Sequence, residues 1–273
     1  MKTMDSIEGR IAYRLQGPAD GSLLVLVHGM GDTGATYRLL TPHLIAAGYR
    51  VAVMDVRGYG ASSTGWTDHS VASVGTDLLR LIRHLNGDAP VSVIAHSIGC
   101  SSAVWAAAEA PETITSLVLI GTFSGDAPIK PWMKAASRLV GRSATLWGLF
   151  LRSSYPTARP ADFADHLAAL KANLREPGRL AALRAQIETS LSGVVNRYAD
   201  ITQPTLIIMG TKDGDFSDPA ADASLSAAKL GGPSRIHLVE GSGHYPHAEM
   251  PAATAEGLLA FLAGIRPSVE LAS

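Results

Sequence analysis

Six short apolar runs recur along the chain, at Leu23–Val27, Val51–Met54, Val91–Ala95, Leu117–Ile120, Thr205–Met209 and Ile236–Val239. Each is four or five residues long and apolar at nearly every position, not at alternate ones. A strand with one wet face alternates polar and apolar residues. A strand that is apolar throughout is covered on both faces, as in a parallel sheet held between two layers of helices. Segments with helical spacing lie between the runs: Tyr37–Ala47, Val71–Leu85, Ile98–Ala110, Ala220–Lys229 and Pro251–Leu262. This alternation predicts an α/β fold, a doubly wound, mostly parallel sheet with right-handed crossovers. Ile7–Leu15 is expected to add an antiparallel hairpin at the start.

The rhythm fails once. No strand pattern occurs between Ile120 and Thr205, where the sequence reads as helices around Pro131–Val140, Thr145–Leu151, Pro160–Leu174 and Arg179–Leu191. Pro156, Pro160 and the Pro177-Gly178 pair separate them. The expected organisation is a core of residues 1–122 and 201–273 with an inserted helical cap, residues 123–200. Trp132, Trp147 and Phe150 lie in this insertion, and apolar aromatics there are expected to roof a pocket for a small, largely apolar ligand. Tyr245 is expected to line the same pocket. Aromatics on helices serve as often to glue two layers together.

Composition narrows the function. A net charge of −1 provides no field for nucleic acid. The single cysteine, Cys100, rules out an internal disulfide framework and fits a reducing compartment. Met1–Ser6 carries no apolar leader segment, and no apolar run approaches membrane-span length. A cytoplasmic protein without membrane attachment is therefore expected. The chain contains no CxxC pair, HExxH, phosphate-loop pattern or GxGxxG, so no metal and no cofactor are expected.

The chemistry-bearing residues sit where the runs end. Val91–Ala95 leads into His96-Ser97-Ile98-Gly99 and then a helical stretch. This is the pattern of a nucleophile elbow, a serine on a sharp strand-to-helix turn. The turn demands small neighbours, here Ala95 and Gly99. The helix that follows aims N–H groups and its positive end at charge forming near Ser97. A serine needs a base, and the base needs an acid to hold its tautomer. Beyond Thr205–Met209 comes Gly210-Thr211-Lys212-Asp213-Gly214-Asp215, which places Asp213 at a strand end with Asp215 as its rival. Beyond Ile236–Val239 comes Glu240-Gly241-Ser242-Gly243-His244, with His247 a more distant alternative to His244. After Leu23–Val27, the glycines of His28-Gly29-Met30-Gly31 let the Met30 N–H point at an oxyanion. His28 itself, and Asp55 and Arg57 after Val51–Met54, read as braces of their turns.

Together, His28-Gly29-x-Gly31, Asp55-x-Arg57-Gly58-x-Gly60-x-Ser62, Ala95-His96-Ser97-Ile98-Gly99, Gly210-x-x-Asp213 and Gly243-His244 resemble the α/β-hydrolase superfamily. Within it they are similar to the cap-bearing esterase, lactonase and haloperoxidase-like branch. The resemblance spans nearly the whole chain, with Ala95 replacing the usual first glycine of the elbow. It implies a Ser97–His244–Asp213 triad, an oxyanion hole from the N–H groups of Ile98 and Met30, and hydrolysis of a carboxylic ester through an acyl-enzyme. The substrate is expected to be a small-molecule ester or lactone. A lactonase, a C–C bond hydrolase, cofactor-free oxygen chemistry, or a small-molecule receptor with little turnover would use the same fold.

Overall fold

The computed structural model describes residues 1–6, 8–123 and 137–265. Eight strands form one sheet in the order β1-β2-β4-β3-β5-β6-β7-β8. They are β1 (Lys2–Ser6), β2 (Gly9–Gln16), β3 (Leu23–Val27), β4 (Arg50–Met54), β5 (Val91–His96), β6 (Ile114–Ile120), β7 (Thr205–Gly210) and β8 (Ser234–Val239). β1 and β2 are antiparallel, as is the β2–β4 pair, and the remaining pairs are parallel. The expected α/β, mostly parallel sheet is what the chain forms.

The continuous apolar runs explain this directly. Alternate residues of each strand go to opposite faces. Val25, Val27, Val93, Ala95, Leu117 and Leu119 join one core cluster, with Val74, Leu78 and Leu81 of α2 (Val71–Asn86) and Cys100, Ala103 and Val104 of α3 (Ile98–Glu109). Leu24, Leu26, Ile94, Val118 and Ile120 join the other, with Leu44 of α1 (Thr41–Ala46) and Leu258, Phe261 and Leu262 of the helix Pro251–Ile265. α2 is amphipathic and opens at Ser70, whose side chain accepts the Ser73 N–H. α3 is buried on almost every side.

Three elements depart from the sequence reading. β8 is an edge strand, and Ile236 and Leu238 are each 40% exposed, so it is not covered on both faces. An apolar run of four residues gives no sign of which strands end a sheet. The stretch from Tyr37 to Ala47 is a 3₁₀ turn at Gly34–Arg38 followed by α1, because Pro42 has no N–H to donate and fits only a first helical turn. The helix expected to reach Leu191 ends at Ile187, followed by a short one at Ser192–Val195. The N-terminal hairpin forms, with β1 starting earlier than expected.

The sheet order reverses between β3 and β5, the strands that precede His28 and Ser97. Such a switch point opens a crevice at the carboxyl ends of the strands. Register aligns those ends: Val27 pairs with Ala95, His96 with Ile120, Ile120 with Ile208, and Gly210 with Val239.

Between β6 and β7 the described residues are helical, with helices at Ala144–Ser153, Phe163–Arg175 and Arg179–Ile187 preceding Ser192–Val195. They are tied to the loops after β3 and β4. Arg38 holds Asp162 through two hydrogen bonds of 2.6 Å. Asn173 and Gly60 exchange two of 3.0 Å. Arg179 donates to the Ser62 carbonyl at 2.6 Å, and the Tyr59 hydroxyl to Gln186 at 2.8 Å. Among the described residues no helix is long and apolar enough to cross a membrane.

Candidate active site

Ser97 follows β5 directly and serves as the N-cap of α3. Its φ of 54° makes it the one non-glycine residue with positive φ among those described. That conformation costs energy for any residue bearing a Cβ, and strain of this kind collects at functional sites. The turn is fixed on both sides. The Ser97 N–H donates to the Ile120 carbonyl at 2.9 Å, and the Ser97 carbonyl accepts from Cys100 N–H at 2.9 Å. Gly99 has no alternative, because a Cβ there would lie 2.7 Å from the His28 carbonyl oxygen. The small residue after the elbow is thus dictated by the approach of α3 to the end of β3.

His244 and Asp213 meet across the ends of β8 and β7. His244 Nδ1 and Asp213 Oδ2 are 2.7 Å apart, and both residues are buried. Asp215 Oδ2 stands 3.6 Å from the same nitrogen, beyond hydrogen-bonding distance. The rivalry between the two aspartates is therefore decided in favour of Asp213 as the hydrogen-bond partner. Burial pulls the His244 imidazole down, but the charge and hydrogen bond of Asp213, with help from Asp215, outweigh it and raise its pKa. The arrangement leaves Nε2 as the ring nitrogen able to accept a proton.

The same packing sets His244 close to the turn that carries Ser97. A Cβ on Gly121, next to the Ile120 that anchors Ser97, would lie 3.0 Å from the His244 ring. The His244 ring also lies 4.7 Å from that of His96, the residue before Ser97. A serine on a strained turn and a histidine near that turn, with one ring nitrogen held by a buried carboxylate, are the parts of a nucleophile and its base.

The loop after β3 completes the arrangement. Ile98 opens α3, so its N–H has no intrahelical acceptor. The N–H groups of Ile98 and Met30 make no backbone hydrogen bond among the described residues. His28 accepts the Val56 N–H at Nε2 (2.9 Å), so its Nδ1 donates to the Gly29 carbonyl at 2.8 Å. It is a brace, as expected. Asp55 accepts the N–H groups of Gly34 and Ala61. Arg57 is paired with buried Asp77 at 2.7 Å and lies over Trp66. Both brace their turns, as the sequence suggested.

Of the aromatics expected near the pocket, Trp147 is buried and donates its indole N–H to the Gly31 carbonyl at 2.8 Å. Phe150 packs against Trp147 at 5.1 Å and is 39% exposed. Tyr245 is buried and stacked on Tyr155 at 5.2 Å. Trp132 lies outside the described residues.

Further residues support the site, and one of them, Glu249, gave no sequence signal. Buried Glu249 accepts the Gly243 N–H at 2.6 Å with one oxygen and the Thr157 and Ala158 N–H groups with the other. It fixes the loop that presents His244. His96 donates its Nε2–H to the His244 carbonyl at 2.9 Å. Burial, with the charges of His247 and His244, holds the His96 imidazole far below the ordinary histidine range. His247, the alternative base, hydrogen-bonds Thr36 at 3.0 Å and is fully buried. Asp213, Asp215 and His244 place one ligand atom each within 4.8 Å of one another. The short Asp213–His244 contact suits a shared proton, which a cation would have to displace.

The family whose model matches this chain is described as the alpha/beta hydrolase family, and the match covers residues 24–257. The chain belongs to the alpha/beta hydrolase family. One relative is the magnesium-chelatase 30 kDa subunit of Rhodobacter capsulatus, 29% identical over 85% of this chain and 83% of that protein. Another is the 2-(acetamidomethylene)succinate hydrolase of Mesorhizobium japonicum, 27% identical over 93% of this chain and 92% of that protein. Among solved structures, the bromoperoxidase of Bacillus anthracis superposes with a TM-score of 0.80 at 22% identity, covering 93% of this chain and 96% of that one.

Proposed function

We propose that this member of the family is a serine hydrolase that cleaves a small, largely apolar carboxylic ester. The observation that carries the proposal is the strained Ser97 on a turn whose neighbours, Gly121 and His96, pack against His244, whose Nδ1 lies 2.7 Å from buried Asp213. In this reading Ser97 Oγ attacks the ester carbonyl while His244 Nε2 takes its proton. Asp213 orients the imidazole and stabilises its charged form. The N–H groups of Met30 and Ile98 receive the oxyanion, each donor contributing about 3 kcal/mol in comparable sites. His244 then protonates the leaving alcohol, and water releases the acyl group by the same steps. The reading calls for no metal and no cofactor.

The helices between residues 137 and 200 act as a cap in this proposal. Their ties to the loops after β3 and β4, and above all the Trp147–Gly31 bond, support it, because Gly31 directly follows the proposed oxyanion donor Met30. A roof carrying Trp147 and Phe150 favours an apolar acyl or alcohol group.

A second reading, hydrolysis of a bond to nitrogen, is favoured by the Mesorhizobium relative, whose name describes a substrate with an acetamido group. A panel of short-chain esters, lactones and N-acyl compounds, run with the native protein and Ser97→Ala, separates the two. Ester turnover that Ser97→Ala abolishes is expected. Turnover of N-acyl compounds alone would move the proposal to the second reading, and full ester turnover by Ser97→Ala would refute both.

A further inference from the structure

We propose that Asp215 is a positioning residue for the same site: a second carboxylate that shares with Asp213 the holding of positive charge on His244, and that takes over Nδ1 when Asp213 is lost. The inference rests on His244 acting as the base. Its ground is geometric. Two carboxylates face one ring nitrogen, Asp213 Oδ2 at 2.7 Å and Asp215 Oδ2 at 3.6 Å. The nearer accepts the hydrogen, and the farther is too distant for a hydrogen bond but close enough for its charge to act.

The pair is built as a unit. Asp215 donates its backbone N–H to Asp213 Oδ1 at 3.0 Å, so the outer oxygen of one carboxylate fixes the backbone of the other. Gly214 lies between them, and a Cβ there would meet nothing within 4 Å. The side of the turn at Gly214 is therefore open, and a transfer of the hydrogen bond from Asp213 to Asp215 would need only a small shift of this segment. The Asp215 side chain is 30% exposed and that of Asp213 is fully buried. Partial burial raises the Asp215 carboxyl, His244 lowers it, and Asp213 raises it further.

The other groups around His244 do not supply this role. His96, 4.7 Å away ring to ring, is held neutral. Burial pushes His247 down to about 3, so it too is neutral. The Tyr245 phenol, with its ring 5.5 Å from that of His244, is raised well above its ordinary value and stays protonated. Glu249 is committed to the Gly243, Thr157 and Ala158 N–H groups. The Lys212 ammonium points to Thr157 Oγ1 at 3.4 Å.

The test is the pH dependence of Ser97 labelling by a fluorophosphonate probe, which reads the base without needing the natural substrate. Native protein, Asp215→Asn, Asp213→Asn and the double variant are compared, with urea denaturation to confirm folding. Asp215→Asn is expected to move the midpoint down by roughly 0.5 to 1 pH unit, the effect of a unit charge at this distance under near-aqueous screening. Asp213→Asn is expected to label up to about tenfold faster than the double variant, the ceiling that a one-unit difference in imidazole basicity sets. An unmoved midpoint in Asp215→Asn, or equal rates in the single and double Asp213 variants, overturns the inference while leaving Ser97 and His244 in place. Failure of the native protein to label at Ser97 would instead remove the reading on which it rests.

Discussion

His247 makes the acid stability of this protein a quantitative matter. Its ring is fully buried beside Tyr37 and His96, with centroids 4.8 and 4.7 Å away. Burial first, and then the charges of His244, Arg38 and His166, push the imidazole down to about 3. An unfolded chain binds this proton near pH 6.5, while the folded chain refuses it until about pH 3. The depressed value favours folding above pH 6.5, and that contribution is lost as the pH falls toward 3. Between pH 7 and pH 5 the loss from this one residue integrates to about 2 kcal/mol, a large share of a typical net stability of roughly 5–15 kcal/mol. The experiment compares urea denaturation of the native protein and His247→Phe at both pH values. The variant leaves the Thr36 hydroxyl without its partner, an offset that is the same at each pH. His96 and Asp215 titrate in both proteins and largely cancel. The native stability should fall by about 2 kcal/mol more than that of the variant on going from pH 7 to pH 5. Equal losses in the two proteins would refute the reasoning.

Three further outcomes follow from the same contacts. Gly121→Ala must hold a Cβ at φ 60° and 3.0 Å from the His244 ring, so ester turnover should drop between about 10- and 100-fold with the far-UV circular dichroism unchanged. Undiminished turnover would show that His244 does not depend on that wall. Trp147→Phe removes the indole donor from the Gly31 carbonyl, which should cost about 1–3 kcal/mol in urea denaturation and raise KM for ester substrates. A variant as stable as the native protein would deny the bond its role. Because Asp213 and Asp215 raise His244 above its ordinary value, and the base must be neutral to act, kcat/KM should rise with pH through a midpoint above 6.5. A midpoint at or below 6.5 would contradict this electrostatic picture.

What the sequence displayed, and what it hid, divides along physical lines. Leu23–Val27 and Val91–Ala95 announced buried parallel strands because both faces of a central strand need apolar residues, and both occupy such positions. Ile236–Val239 read the same way and lies at the edge, since strand order is a tertiary property that a run of four residues does not encode. Ser97, Asp213 and His244 could be picked out because each follows the end of a strand, where a parallel sheet gathers its loops. Asp213 was preferred over Asp215 from the sequence, but the rival stayed open, because two residues apart on one loop both could reach Nδ1; the distances of 2.7 and 3.6 Å separate them. Glu249 was invisible: its partners, Gly243, Thr157 and Ala158, are backbone groups, and backbone acceptance leaves no pattern in side-chain identities. Gly121 was equally silent, since its reason for being glycine is a ring 123 positions later in the chain.

The central claim is that Ser97 is the nucleophile, and covalent capture tests it most directly. The native protein, treated with a fluorophosphonate probe and digested for mass spectrometry, should carry one equivalent of adduct on the peptide containing Ser97, with ester turnover lost in proportion. Ser97→Ala should fold, take up no probe and turn over no ester. An adduct on any other residue, or native turnover that survives full labelling of Ser97, would contradict the account.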